Sequence, residues 1–315
     1  MHMAHEPPRV ARLIADTPWA ILPEKLSAIC AFLELRVSGH QFSAEEFARI
    51  DSGKVARTAA RAGAVGILPI YGTISQRANM LTEFSGGAST EVLRSQFAEL
   101  VNNADVKAIV MDVDSPGGSV FGVQELADDI FAARGRKPIV AVANSLMASA
   151  AYWVAAQADE IVATPGAIVG SIGIYSIHED ISRAAEAAGM TYTVVKAGKW
   201  KAEGIDLMPL SEEDRNAMQS RMDSYYGMFA GAVARGRGVP EASVRNGYGE
   251  GRALTSASAK SAGLVDRVAT LDQTLARLGA SAITTPPARA DVERLWEIAL
   301  SKPAHVATTT PGGAS

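Results

Sequence analysis

Three short segments of this 315-residue chain hold residue types that could together carry out acyl transfer. Ser149 stands in Asn144-Ser-Leu-Met-Ala-Ser-Ala-Ala-Tyr-Trp-Val154, Lys201 closes Lys196-Ala-Gly-Lys-Trp-Lys201, and a Gly-Gly pair closes Ser115-Pro-Gly-Gly118. A serine hydroxyl is a poor nucleophile at neutral pH unless a neighbour accepts its proton, and a lysine does so only when burial or another cation depresses its pKa. The Gly-Gly pair follows an apolar run and precedes a helical one. Glycines at such a junction let backbone N–H groups face outward, beside the positive end of a helix, where they would stabilise an oxyanion. The plainer reading is a strand-to-helix turn in which Pro116, Gly117 and Gly118 serve geometry alone.

Ser149 occupies a similar junction one strand later, between Pro138-Ile-Val-Ala-Val-Ala143 and a small-residue helix expected to start near Ala148. Ala148, Ala150 and Ala151 leave its hydroxyl uncrowded, and the Ala150 N–H is a candidate second oxyanion donor. A serine among alanines at a helix start is equally a cap or a packing choice. Adjacent parallel strands, however, bring their C-terminal ends to one sheet edge, which favours a common site for both turns.

The base is harder to place. Of His2, His5, His40, His178 and His305, only His178 lies in the central region, and no Asp or Glu stands where it would orient that ring. Gly-x-Ser-x-Gly and Ser-x-x-Lys signatures are absent. Lys196, Lys199 and Lys201 crowd the end of an expected strand, where like charges ease the loss of one proton, and Trp200 could shield one of them from water. The same trio also reads as a solvated basic turn. Ser171, in Gly170-Ser-Ile-Gly173, is either a small partner for an amine or a turn residue.

The elements that must position these groups alternate between strand and helix. Residues 1–60 read as a helical extension, with Trp19, Ile21, Leu22, Leu26, Ile29, Cys30, Phe32 and Leu33 at helical spacing and Ser43-Ala-Glu-Glu as a capped start. From Ala64 the pattern turns β-rich through Ile74. Helices are then expected near 89–103, 120–134 and 179–188, and strands at 108–113, 138–143, 160–163, 169–175 and 192–196. A long helix at about 211–235 opens with Ser211-Glu-Glu-Asp and is a candidate assembly element. Two short helices flank Gly263-Leu-Val-Asp266. The main domain is taken as 61–280, and 281–315 as a largely disordered tail with a short helix around Val292–Leu300. The fold class is therefore α/β, a parallel-rich sheet with flanking helices and right-handed crossovers.

Bulk properties narrow the function. A 48% apolar composition supplies a core, and a formal net charge of −4 gives no footprint for nucleic acid or an anionic membrane. Cys30 is the sole cysteine, so disulfides and cysteine-based zinc sites are excluded, and it reads as a buried structural thiol. The histidines lack metal-binding spacing, and no cofactor or metal is expected. No apolar segment follows a basic start and no window approaches the ~18 apolar residues of a membrane span, so a cytoplasmic, unanchored protein is expected.

Ser-Pro-Gly-Gly, Ala-Ser-Ala-Ala-Tyr-Trp, Gly-Ser-Ile-Gly and Lys-x-Gly-x-x-Lys, in this order, resemble the signal peptide peptidase A family, peptidase family S49. The likeness covers about residues 64–270 and continues through Arg252-Ala-Leu-Thr-Ser-Ala-Ser-Ala-Lys-Ser-Ala-Gly-Leu-Val-Asp266. It implies a Ser-Lys dyad on a fold related to the Clp protease and crotonase superfamily, assembled as a ring-like homo-oligomer. By position, it makes Ser149 the nucleophile, Lys201 the general base with Lys199 as its rival, and Ser171 the lysine's partner. Gly117, Gly118 and the Ala150 amide become the oxyanion hole. Where the family often has Ser-Gly-Gly-Tyr, this chain has Ser149-Ala-Ala-Tyr152, which narrows the pocket but keeps the N–H.

The extension beginning Pro18-Trp-Ala-Ile-Leu-Pro-Glu, in place of a membrane anchor, resembles the phage and prophage branch of head maturation proteases. That resemblance implies protein or peptide substrates and capsid, scaffold or portal proteins as partners, with the tail as a place for scaffold attachment or self-cleavage. No P-loop is present, so no ATP-driven unfolding is expected. Three other readings remain open: a cytosolic peptidase degrading signal peptides or other oligopeptides, a non-catalytic capsid-assembly scaffold, and a crotonase-like acyl-CoA enzyme that would need neither Ser149 nor Lys201.

Overall fold

In the computed structural model, which describes residues 17–37, 60–77 and 87–279, the first element is β1 (Trp19–Ile21), followed by α1 (Pro23–Val37). Trp19 and Ile21, expected on a helix, thus form a strand. Pro18 and Pro23 bracket the run, and the residue before a proline is biased toward extended backbone. Pro23 then opens the helix, at the position where its missing N–H costs nothing. The capped start at Ser43 and the tail from 281 lie outside the described residues.

The body is built on β2 (Ala60–Ala62), β3 (Val65–Tyr71), β4 (Ile74–Ser75), β5 (Ala88–Ser89), α2 (Thr90–Asn102), β6 (Ala108–Ser115), β7 (Gly117–Ser119) and α3 (Val123–Ala132). Then come β8 (Ile139–Ala148), α4 (Ala150–Ala155), β9 (Glu160–Ala163), β10 (Ile168–Gly170), α5 (Ser182–Ala187) and α6 (Glu212–Arg237). The chain continues through α7 (Glu241–Gly247), β11 (Ala253–Thr255), α8 (Ser256–Ser261), β12 (Arg267–Val268) and α9 (Leu271–Arg277). The main sheet runs β11-β10-β8-β6-β3-β2, with β9 beside β8 and β12 beside β9. Its β3, β6, β8, β9, β10 and β12 pairings are parallel, and β2 and β11 add antiparallel edges. This is the expected α/β architecture.

Alternation along the strands explains the layers. Ile109, Met111, Ile139, Ala141 and Ile161 face a large core, while Ala108, Val110, Val140, Val142 and Val162 face a smaller one that includes Leu275 of α9. Both faces are covered, as the near-continuous apolar runs require. Strand β8 forks: Val140–Ala143 pairs with β9, and Leu146–Ala148 pairs with β10. Between Val113 and Ser115, β6 advances two residues while β8 advances four. The extra length carries β8 out to Ala148, so that its last residue delivers Ser149.

The strand expected at 192–196 is absent. Tyr192, Val195 and Lys196 are exposed, Val195 by 93%, and none pairs with a neighbouring strand. A β-rich run without an edge to bind has nothing to satisfy its backbone. The stretch 169–175 likewise contributes only β10, apart from an isolated bridge between Tyr175 and Trp19. Cys30 is half-buried rather than buried, against the Trp19–Ile21–Leu26–Ile29 cluster.

Helix α4 is held from behind by α6. Trp153 stacks on Phe229 at 4.6 Å between centroids, and Gln157 donates to the Trp153 and Ala232 carbonyls. A Cβ at Gly236 would lie 2.0 Å from the Ala156 carbonyl oxygen, so only glycine permits this approach. Gly236→Ala should therefore cost about 1–3 kcal/mol through backbone displacement, read as a lower urea midpoint with an unchanged slope. A second tie closes the C-terminal segment. Arg237 donates to both Asp266 carboxylate oxygens and to the Gly263 carbonyl, and the Ile161 N–H also reaches Asp266. Burial opposes ionisation of Asp266, but the Arg237 and Ile161 hydrogen bonds outweigh it and hold its pKa below the usual carboxylate range. A depressed folded-state pKa contributes stability above the unfolded value of ~3.9 that is lost as pH falls through the folded one. Asp266→Asn should accordingly flatten the acid limb of stability against pH; an unchanged limb would show that the pair contributes nothing.

Candidate active site

Ser149 sits between the end of β8 and the first residue of α4 with φ 55° and ψ −119°. This backbone region is costly for a residue with a Cβ and persists only where the surroundings hold it. Two backbone hydrogen bonds do so: the Ser149 N–H donates to Gly170 at 2.7 Å, and its carbonyl accepts from Trp153 at 2.9 Å. The tight strand-to-helix turn presents the hydroxyl at the sheet edge, as a nucleophile elbow does. Ser149 is 1% exposed, and its Oγ has no hydrogen-bond partner.

The Gly-Gly turn reaches the same point. Gly117 has φ 97°, and a Cβ there would lie 2.9 Å from Ser149 Cβ, 3.0 Å from the Ala148 carbonyl and 2.1 Å from the Ala20 carbonyl. At Gly118 the Ile74 carbonyl would be struck at 1.8 Å. Neither position tolerates a side chain. The Gly117 N–H donates to Ser115 Oγ at 3.2 Å, and Ser115 Oγ in turn donates to the Gly72 carbonyl. Ala150, fully buried, opens α4, where first-turn amides have no acceptor within their own helix. Ser171 follows Gly170, whose partner on β8 is Ala148, and so stands beside Ser149. Its φ is also 55°, fixed by its N–H donating to Arg252 at 2.9 Å, and it is 6% exposed.

The lysines are not part of this cluster. Lys196, Lys199 and Lys201 are exposed; Lys199 Nζ lies 3.9 Å from the Glu213 carboxylate and 3.9 Å from the Trp200 ring centroid. Lys201 takes part in a turn, its N–H donating to Gly198. His178 is half-buried with its Nε2 unpaired. Among the described residues, no group of His, Cys, Asp or Glu could hold a metal ion, and no helix is long and apolar enough to cross a membrane.

Sequence reasoning missed what covers the site. β1 pairs antiparallel with β7, placing Trp19 opposite Ser119, Ala20 opposite Gly118 and Ile21 opposite Gly117. On its other side, Trp19 and Tyr175 exchange both backbone hydrogen bonds. The Tyr175 hydroxyl is buried without a partner; burial, with Cys30 and Glu24 adding, pushes its pKa up to about 12. The prolines at 18 and 23 were the available signal for an extended segment. A cleft of about 550 Å³ opens alongside, lined by Ile21, Ser171, Tyr175, Met222 and Tyr226 among others.

The chain is similar to several known proteins. The capsid assembly protease C of Escherichia phage lambda is 30% identical over 220 residues, which cover 70% of this chain and 48% of that protein. The head-tail preconnector protein of Enterobacteria phage P21 is 30% identical over 175 residues, 56% of this chain and 35% of that one. The chain thus spans less than half the length of either relative. Among solved structures, a ClpP1 mutant from Listeria monocytogenes aligns with a TM-score of 0.41 and 17% identity, over 66% of this chain and 94% of that chain. Residues 132–283, from the end of α3 past α9 and including Ser149, Ser171 and Lys201, match the model of peptidase family S49. Over these residues, with the Gly117–Gly118 turn, Ser149 and Ser171 brought to one sheet edge, the chain is similar to peptidase family S49.

Proposed function

We propose that this protein is a serine endopeptidase in which Ser149 attacks the scissile carbonyl and forms an acyl-enzyme. The observation that carries this reading is the strained, buried Ser149, with an unpaired hydroxyl, packed against the side-chain-free Gly117. Backbone strain that two hydrogen bonds and a packed helix must maintain has a use where a nucleophile needs fixed orientation. In the reaction, neutral Lys201 Nζ takes the Ser149 proton as Oγ bonds to the carbonyl carbon. The Ala150 amide and the Gly117–Gly118 turn then receive the oxyanion, which requires the Gly117 N–H to leave Ser115. As the C–N bond breaks, the lysine ammonium returns its proton to the departing amine, and water hydrolyses the ester by the same path. Ser171 orients the amine.

The isolated chain leaves Lys201 exposed, beside exposed Tyr192, Val195 and Trp200. Apolar side chains presented together in this way suit a subunit contact. In our reading, a ring-like homo-oligomer packs this segment and brings the amine to a Ser149 pocket, dry enough for a neutral lysine. The phage relatives extend the reading to substrate: cleavage of capsid, scaffold or portal-associated proteins during head maturation, in the host cytoplasm and without a cofactor.

Ser149→Ala should abolish covalent labelling by a fluorophosphonate and lower peptide hydrolysis on the order of 10⁴- to 10⁶-fold. Lys201→Ala should do nearly as much, the double variant no more, and Lys199→Ala little. Full labelling of Ser149→Ala would remove the nucleophile; full activity of Lys201→Ala would move the base elsewhere. Because only the neutral amine accepts a proton, hydrolysis should climb with pH across the neutral range. A flat profile would point to another base or to a slow step other than acylation.

A further inference from the structure

The Ser149 pocket is closed by the chain itself. A polypeptide cannot reach a hydroxyl on a residue that is 1% exposed, so some part of the structure must leave before a substrate enters. A segment packed beside it, at Gly117, is Pro18–Leu22. Its central strand, β1, runs antiparallel to β7 on one edge and hydrogen-bonds Tyr175 on the other, with further backbone bonds from Leu22 N–H to Pro116 and from Val120 N–H to Pro18. An extended peptide held by main-chain hydrogen bonds along an exposed strand edge is the general form of β-augmentation, in which alternate side chains are read by pockets. Here the guest strand belongs to the same molecule. Ala20 stands at its centre, and its carbonyl oxygen lies 2.1 Å, and Ser149 Cβ 2.9 Å, from the point where a Cβ on Gly117 would stand, so the two crowd the same side of that glycine. Trp19 and Ile21, on either side of it, are 3% and 1% exposed and pack with Leu26, Ile29 and Tyr175.

A strand present only to complete the sheet would have no reason to cross the nucleophile. β1 belongs to the small sheet β1-β7-β4-β5, separate from the main one, and it is that sheet's edge. On the reading of Ser149 as nucleophile given above, we propose that β1 is an internal pseudosubstrate: it occupies the groove between β7 and Tyr175 in the place of a substrate strand and keeps the peptidase closed until it is displaced. The groove so defined takes an extended polypeptide, with a small residue opposite Gly118 and bulky apolar residues on both sides of it.

The test is the rate at which a fluorophosphonate modifies Ser149 in the full chain. Ala20→Pro removes the backbone N–H donor at the middle of β1, and Trp19→Ser with Ile21→Ser removes its apolar anchors. Either change should raise the modification rate roughly ten- to a hundredfold, as expected when an open state populated at ~1–10% becomes dominant. A synthetic peptide of the sequence Thr17–Glu24 should slow the variants back toward wild type. Folded variants that label at the wild-type rate, with labelling abolished by Ser149→Ala, would overturn the pseudosubstrate and leave the nucleophile standing. Absence of labelling in wild type and variants alike would overturn both. Should the variants unfold, wild-type kinetics decide: two fluorophosphonates of different reactivity should reach one common plateau rate at high concentration, set by strand opening. Rates that rise linearly with both would overturn the proposal.

Discussion

Two backbone segments close on the point where a side chain on Gly117 would begin, and none fits there. The Ala148 carbonyl and Ser149 Cβ approach from β8, and the Ala20 carbonyl from β1. The parallel pairing of β6 with β8 creates this crowding, because both strands end at one sheet edge and each releases its turn there. Glycine at 117 is thus a steric requirement of bringing the turn against the serine, and its φ of 97° is a second reason for the same residue. The functional cluster exists because the backbone can come this close.

Such an approach forces strain onto its neighbours. Ser149 and Ser171, both at φ 55°, carry it, and each is anchored by an N–H to the carbonyl of another segment: Gly170 for Ser149, Arg252 for Ser171. Each such residue costs of order 1–3 kcal/mol. The offset lies in the layer behind, where α4 is wholly buried and packs through Trp153 on Phe229 of α6. The glycine at 236 that lets α6 approach the end of α4 therefore bears on the site as directly as the glycines that face it. Arg134 joins the same junction, donating to the Gln157 and Gly236 carbonyls.

Much of this was legible because it is local. Gly117, Gly118, Ser149 and Ser171 each lie at a strand end, and strand ends show in sequence as apolar runs meeting glycine or small residues. Their convergence followed from one rule about parallel sheets. The failures share a different origin. Tyr192–Lys196 has the composition of a strand but no edge to pair with in the single chain, so composition alone misled. Trp19–Ile21 has helical spacing in a window of eleven residues, yet pairs with Gly117–Ser119, almost a hundred residues away. No local pattern encodes such a partner; only the flanking prolines hinted at extended backbone.

The two halves of the proposed dyad are held by different physics. Ser149 is fixed by covalent proximity to a sheet, two backbone bonds and a closed core, and its position is set as soon as the domain folds. Lys201 lies on an exposed turn held by its own N–H to Gly198, and its side chain is exposed. An exposed lysine outside the pocket cannot accept a proton from Ser149, whereas the serine at the finished elbow is already in place. On the proposed reading, this separation makes folding alone insufficient for activity, since the amine can serve as a base only once something encloses it beside Ser149. β1 adds a second condition on the serine side. On the same reading, Ser149 needs both an enclosure around Lys201 and a polypeptide strand able to displace β1, so that arrival of an extended substrate and closure of the lysine segment would act together.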